Sequence, residues 1–422
     1  MSARANSLLV GTGEYVTGFV NGAASGSDKR CGVVALVHFD LRRRGLHGDV
    51  IKMCGTQGGK FPQIRAHLRA AIENKYRDMD TSFESFPNDD VERDTCAYER
   101  AIESMQPGDT CTIFTPDFCH FDIAKCAMQR GLHVLLTKPP VQTLAQHREL
   151  VQLARAKSLH AQVEVHKRWD PIYADAATRI RAGEVGDLTY FHAFMSQPKK
   201  QLETFRAWAG KNGCDISYYL NSHHVDFLCW ALRGRARAVS VSASASSGVA
   251  RRVLQRDLAD SVTLLVQFVS ATGNMGTAVF TSSWTAAESD VHSQQRFFFQ
   301  GTESDITVDQ AHRGYTIASR GLASVNPLFM KYTPDARGHF AGQSGYGYKS
   351  IEEFHRAVQC TRGGASPEEL HEELPTLAAT QQLTAILEAG AKSLRENGRP
   401  VKLKWASPVA TPLDCDNVIG FE

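Results

Sequence analysis

The chain has 422 residues, of which 42% are apolar and 22% charged, and a formal net charge of +2. That length exceeds what one core usually organises, so two domains are expected. No basic block is longer than Arg42-Arg43-Arg44, which leaves no electrostatic footprint for a nucleic acid or a membrane surface, and the apolar runs are too short to span a bilayer. MSARANSLLVGTG enters a strand directly, without room for a signal peptide. Ten scattered cysteines with no C-x-x-C pair read as reduced thiols rather than a metal or redox site. A cytoplasmic protein without a bound metal is the expectation.

In chain order, the first 160 residues alternate strand and helix patterns, as in a parallel sheet wound with helices. Ser7 to Val10 predicts a strand, followed by GTGEYVTG. Gly32 to Phe39 predicts a second strand ending on Asp40. The stretch from Gly45 to Gly108 is less regular, with helices at Pro62 to Tyr76 and Ala97 to Met105. It is long for one βα step and predicts an insertion or an extra β unit. Thr112 to Phe114 predicts a strand, His120 to Gln129 an amphipathic helix closed by Gly131, and His133 to Leu136 a strand that delivers Lys138 ahead of two prolines. Ala145 to Ala156 is a helix, and His160 to Val165 a strand leading into HKRWDP.

After about residue 185 strands dominate: Leu188 to Met195, Ala236 to Ala243, Ser261 to Val269, Gly276 to Ser283, Gln295 to Gln300 and Asp305 to Val308. A helix from Ile216 to Leu232 interrupts them, and Ala243 to Ala250 reads as a mobile loop. Helices at Ser350 to Gln359 and Pro367 to Asn397, then a strand at Pro400 to Lys404, close the chain. The expected fold is α/β. A doubly wound parallel sheet fills residues 1–160, with the insertion at about 45–108. An α+β domain fills 161–422, built on a large, mostly antiparallel, open-faced sheet, with the C-terminal helices packing back on the first domain. An open sheet face commonly pairs with a copy of itself, so a homodimer or homotetramer is expected.

Three groups of residues carry chemistry. Gly11, Gly13 and Gly18, with Glu14 and Tyr15 between them, form a glycine turn of the kind that lets a pyrophosphate approach the backbone. Asp40 would bond the adenosine ribose hydroxyls and favours NAD narrowly, whereas Arg42 and Arg43 suit the 2′-phosphate of NADP or are a solvated face. Thr115, Pro116 and His120 end the next strand, toward a nicotinamide; His120 reads equally as a helix-start residue. Lys138 ends its strand where an open sheet binds ligands. In ISYYLNSHHVDFL, Tyr219, His223 and Asp226 share a helical face with Asp215 a turn earlier, a candidate acid/base unit. Lys167, Arg168, Gln197, Lys199 and Lys200 gather cations and amides suited to a hydroxyl-rich or anionic small molecule, or form a solvated loop.

In this order the motifs resemble the glucose-fructose oxidoreductase / inositol dehydrogenase / MocA family of NAD(P)-dependent oxidoreductases. TPDFCH is similar to its T-P-x-x-x-H, GLHVLLTKPP to its G-x-H-V-x-x-E-K-P, HKRWDP to its R-[FW]-x-P and SHHVD to its H-x-x-D. The resemblance implies a Rossmann domain followed by an open-faced α/β domain. It implies catalysis by Lys138 and His223, with Tyr219 where the family has an aspartate and Asp215 a turn earlier as a substitute. Thr137 stands where the family has glutamate. Thr137, Lys138, Pro139 and Lys167 join the glycine turn, Asp40, Arg42, Arg43, Thr115, Pro116 and His120 as the expected cofactor contacts. Lys138, Lys167, Arg168, Gln197, Lys199, Lys200, Asn221 and His223 are the expected substrate contacts. The implied activity is hydride transfer on a sugar, a polyol or a sugar acid, with a uronate such as D-galacturonate preferred for the clustered cations. The rival is a non-catalytic, dinucleotide-binding regulatory protein of the same fold, since the helix has lost its aspartate.

Overall fold

In the computed structural model, residues 4–27, 29–291, 293–318, 321–371, 373–407 and 417–422 are described. They form two compact units. The first comprises Met1–Thr137, Glu149–His166 and Pro327–Leu377, the second Lys138–Arg148, Lys167–Asn326 and Ala378–Glu422.

The first unit holds the strands β1 (Ser7–Val10), β2 (Phe19–Val20), β3 (Ala23–Ala24), β4 (Ile51–Cys54), β5 (Glu84–Phe86), β6 (Thr110–Ile113), β7 (His133–Thr137) and β8 (Ala161–Glu164). Six of them make one sheet in the order β5-β4-β1-β6-β7-β8, with every neighbouring pair parallel. The strands β1, β6 and β8 are buried along their whole length, as strands of a parallel sheet covered on both faces are. The order reverses beside β1, the switch point where doubly wound sheets bind ligands.

One strand expectation is corrected. Gly32 to Phe39 is no strand: Val34–Arg43 is an α-helix, and Asp40 lies buried inside it. Every residue from Val33 to Leu41 is buried, so the segment lacks the polar face that would have marked a helix. A short β-branched run buried on all sides looks the same in sequence whether helical or extended. The second strand of the sheet is β4, so the span 45–108 contributes an extra β unit, with β4 and β5 both integral to the sheet. The antiparallel β2–β3 hairpin interrupts the helix after β1: Glu14–Thr17 makes one turn, Gly18 ends it at φ +72°, and the Val33 amide then donates to Tyr15 O. The helix Tyr346–Arg362, from the C-terminal part of the chain, packs in this unit against Val34–Arg43, β7 and β8.

The second unit contains β9 (Leu188–Pro198), β10 (Ala236–Ser247), β11 (Ala259–Ser270), β12 (Met275–Ala286), β13 (Gln294–Gly301), β14 (Asp305–Asp309), β15 (Tyr315–Ala318), β16 (Leu322–Val325), β17 (Val401–Trp405) and β18 (Val418–Phe421). Eight form a mixed sheet in the order β14-β13-β9-β12-β11-β10-β17-β18, with β9 and β12 its parallel pair. One face carries the core of Phe191, Phe280, Phe297 and Phe299, all buried, while Tyr190, Leu265 and Met275 are exposed on the other. This alternation is the period-2 signature of a sheet buried on one side. The loop expected at Ala243 to Ala250 is instead the end of β10 and the start of the helix Val249–Leu254. The expected Pro367 to Asn397 helix divides into a 3₁₀ turn at Pro367–Leu370 and the helix Gln381–Arg395. The β15–β16 hairpin and β18 were not foreseen. Among the described residues no helix is long and apolar enough to cross a membrane.

Candidate active site

In the first unit, Gly11 leaves β1 at φ +119°, and a Cβ there would lie 2.2 Å from Phe114 O. Only glycine fits so close an approach. At Gly13 a Cβ would meet nothing within 4 Å, so the turn leaves open space beside its backbone. The following helix has one turn, so the turn offers backbone groups rather than a helix dipole. Gly18 ends that helix; it does not open a longer one. The Glu14 carboxylate accepts hydrogen bonds from Ser25 and Ser27, anchoring the residues that follow the hairpin. Tyr15 stacks on Phe114 at 5.4 Å between ring centres. Thr115 Oγ1 is buried without a partner, an orphan group at the end of the β6 loop that fits a polar ligand atom. His120 is buried at the start of the helix His120–Arg130 and bonds Thr115 O through Nε2 at 2.9 Å, so it shapes the Thr115-Pro116 turn. Open glycine backbone and an orphan hydroxyl fit a dinucleotide.

The reading of Asp40 as the ribose acid is corrected. Its carboxylate accepts from Arg43, from Tyr348 Oη at 2.6 Å and from Gln343 Nε2 at 3.0 Å, all inside the unit. Arg43 is thereby engaged as well. Arg42 donates to Asp49 O, Ser82 O and Asp80 O. These three residues hold the helix to its surroundings and do not stand at the end of a sheet strand.

In the second unit, Lys138 directly follows β7 in the chain, with Thr137 half-buried before it and Pro139 buried after it. Its Nζ donates to Tyr219 O and lies 4.3 Å from the centre of the Tyr219 ring. Tyr219 belongs to a π-turn, Ser217–Asn221, that runs into the helix Ser222–Ala231, where His223 is buried. The Tyr219 hydroxyl accepts from Gln197 Nε2 at 3.3 Å, and Gln197 Oε1 is buried without a partner. Asp215 accepts from the Tyr218 amide and caps the start of this segment. Lys138, Tyr219 and Gln197 are therefore brought together, with His223 one turn beyond Tyr219.

Lys167 is buried. Its Nζ donates to Gln295 Oε1 at 2.5 Å and to Gln310 Oε1, and lies 4.3 Å above the Tyr173 ring. Burial, with the charges of Arg313 and Lys138, pushes its pKa down to about 7. Gln295 pairs across the sheet with Met195 and shares the inward face with Phe297 and Phe299. Met195 and Gln197 are two apart on β9, so Gln295 and Gln197 lie on one face, in the diagonal relation that lets long side chains interact. Gln295 and Gln310 went unnoticed in the sequence. A polar residue in register with two inward phenylalanines was the available signal.

Other expected substrate contacts have structural duties. Arg168 pairs bidentately with Asp226, Nε–Oδ2 3.0 Å and Nη2–Oδ1 2.7 Å, and both are buried. Neither Arg168 as a substrate cation nor Asp226 as the orienter of His223 survives this pairing. Arg168→Ala should leave the Asp226 carboxylate buried without its guanidinium, at a cost of about 3–5 kcal/mol. Urea denaturation checks it, and a KM change at unchanged stability would restore the substrate role. The Asn221 amide donates to Ser217 Oγ and Val262 O inside the core. Lys199 and Lys200 are exposed in a 3₁₀ turn after β9, and Lys200 pairs with Glu288 at 3.1 Å.

Two family models match. Residues 60–165 fit an oxidoreductase family, NAD-binding Rossmann fold, and residues 173–307 fit the GFO/IDH/MocA C-terminal domain; together they cover more than half of the chain. The chain is 32% identical over 118 residues to the uncharacterized oxidoreductase YdgJ of Escherichia coli, a match covering 28% of this chain and 34% of that one. It is 34% identical over 89 residues to the scyllo-inositol 2-dehydrogenase (NAD(+)) of Bacillus subtilis, covering 21% and 26%. These stretches span well under two thirds of either relative. A crystal structure of the scyllo-inositol dehydrogenase from Lactobacillus casei, with bound NAD(H) and scyllo-inositol, has a similar fold. Its TM-score is 0.62 at 14% identity, over 94% of this chain and 99% of that one.

Proposed function

The chain belongs to the glucose-fructose oxidoreductase / inositol dehydrogenase / MocA family, and from that premise we propose that it transfers a hydride between a nicotinamide dinucleotide and an alcohol or carbonyl carbon of a sugar, sugar acid or polyol. The packing of Lys138 on Tyr219, on the segment that also carries His223, is the observation that supports this most. A dinucleotide bound at the glycine turn supplies the hydride chemistry. Lys138 hydrogen-bonds the reacting oxygen and stabilises the charge that develops on it. His223 exchanges the proton. The Gln197 carbonyl, buried and without a partner, accepts a substrate hydroxyl.

Within this class a uronate such as D-galacturonate is our preferred substrate, ahead of neutral sugars and inositols, because Lys138 and Lys167 are two cations set among amides. Purified protein offered NAD and NADP with a panel of uronates, aldoses and inositols tests the reading through nicotinamide absorbance. Dinucleotide binding without turnover on the whole panel would favour the regulatory protein instead, a reading that Tyr219 in place of the family's aspartate keeps alive.

The Lys167 pKa of about 7 gives the uronate reading its own pH signature. Below that pH Lys167 is a cation, and above it an amine. KM for a uronate should rise by about tenfold per pH unit above the midpoint, while KM for an inositol stays level. Parallel profiles for the two substrates would remove Lys167 from carboxylate recognition.

A further inference from the structure

We infer that the Trp208 ring is a platform on which the substrate lies, so that the site selects a closed polyhydroxy ring over an open chain. The inference rests on the sugar-like substrate of the proposed function and deepens it. Tyr219, the ring under the Lys138 ammonium, belongs to an aromatic cluster with Phe205, Trp208 and Trp284. Tyr219 lies 5.3 Å from Phe205 and 5.2 Å from Trp208, and Phe205 lies 5.1 Å from Trp208, centre to centre. Trp284 completes the cluster at 6.3 Å from Trp208. Phe205 and Trp284 are buried, and the Trp284 indole donates to Ala259 O at 2.9 Å. Trp208 and Tyr219 are only half-buried, as Lys138 is. The Trp208 indole N–H has no hydrogen-bond partner among the described residues, whereas an indole committed to a core usually finds one.

The backbone fixes Trp208 in this position. Its amide donates to Phe205 O at 3.0 Å, its carbonyl accepts from the Lys211 amide at 2.9 Å, and Gly210 N donates to Cys214 O at 2.9 Å. Gln142 follows Lys138 closely in the chain. Its Nε2 donates to Asn212 O at 2.9 Å, and its carbonyl accepts from Tyr218 Oη at 2.9 Å. The Lys138 segment and the Trp208 loop are thereby tied together. The site then combines polar groups, the Lys138 ammonium and the partnerless Gln197 Oε1, with two partly exposed aromatic rings. A sugar or cyclitol ring is divided in the same way. Its hydroxyls project around the rim, and its C–H bonds form an apolar face that leaves water against an aromatic plane. An acyclic polyol presents no lasting face and loses more conformational freedom when it is ordered.

Matched probes test this by isothermal titration of the full chain in excess NADH and, in parallel, NADPH, neither of which can reduce them. The neutral pair is myo-inositol and galactitol, and the anionic pair is methyl α-D-galactopyranosiduronate and D-galactonate. In at least one pair the closed ring should bind at least about tenfold more tightly than the open chain, the scale of one apolar face leaving water. Trp208→Leu keeps apolar bulk against Phe205 without a flat ring, and should erase that preference. Trp208→Phe keeps a flat ring and should retain most of it. Open chains that bind as tightly as rings in both pairs, a preference that survives Trp208→Leu, or no binding of any probe overturns the inference. A ring preference that Trp208→Leu erases, with no turnover of any sugar or polyol, ends the hydride-transfer reading and leaves the platform standing.

Discussion

Replacing Lys138 by alanine should lower kcat by about 10²- to 10³-fold, the usual loss when one preorganised donor to a developing oxyanion is removed. The ammonium is not a free surface charge. It is steered by the Tyr219 carbonyl and held against the face of the Tyr219 ring, and a cation over an aromatic face is attracted by its quadrupole. Little reorganisation is then needed as charge appears on the substrate oxygen, so the loss should fall on kcat more than on KM. Lys138→Arg keeps the charge but replaces a point ammonium by a planar fork that the same cradle does not fit, and should recover little. Tyr219→Phe keeps the ring and loses only the hydroxyl bonded to Gln197, so a smaller effect is expected. Removing Nζ leaves the Tyr219 carbonyl without that donor, about 1 kcal/mol of stability, so thermal melting separates folding from chemistry. A Lys138→Ala enzyme with kcat within about threefold of the original, well below the expected loss, would end the catalytic assignment.

The parts of this architecture that were legible in the sequence are those where one physical signal dominates. The strands β9 to β13 alternate cleanly because one face is buried, and β7 was bracketed by Gly131 before it and by Lys138 and two prolines after it. Val34–Arg43 was illegible for the opposite reason. Total burial removed its amphipathic period, and taking it for a strand placed Asp40 at a sheet edge that belongs to β4. The cofactor preference drawn from Asp40 followed that single misplacement. Arg168 and Asp226 failed differently. Each looked chemically active alone, 58 positions apart, and spacing in a sequence cannot show that two charges neutralise each other. Lys167 was identified as a polar contact, but its depressed pKa comes from burial and from the charges of Arg313 and Lys138, which no local pattern carries.

Acidification should unfold the first unit well before carboxylate chemistry alone would. Five of its described histidines, His38, His47, His133, His160 and His355, are buried with lowered pKa values. Burial pushes His38 and His133 down to about 3 and His160 to about 4, and lowers His355 well below its ordinary value. Geometry agrees. His133 Nδ1 accepts the His160 backbone amide at 3.0 Å, a bond that protonation of that nitrogen would break. His38 donates through Nδ1 to Val34 O at 2.9 Å, while its Nε2 lies 3.2 Å from His355 Nε2, where two imidazoliums could not coexist. The folded pKa values lie below the unfolded value of about 6.5, so the unfolded chain binds more protons between the two. Stability is complete above about pH 6.5 and declines as pH falls toward the folded values. At pH 4.5 each of His38, His133 and His160 has lost on the order of 3 kcal/mol, at about 1.36 kcal/mol per pH unit. Together that approaches the whole stability of a typical domain. In the second unit burial likewise lowers the pKa of His224. All five tryptophans, Trp169, Trp208, Trp230, Trp284 and Trp405, also lie in the second unit. Far-ultraviolet circular dichroism should therefore record an acid transition that tryptophan fluorescence follows only at lower pH. His133→Asn supplies an acceptor that cannot titrate and should move the first transition to lower pH. Coincident transitions, or a midpoint that His133→Asn leaves in place, would show that these histidines do not set the acid limit.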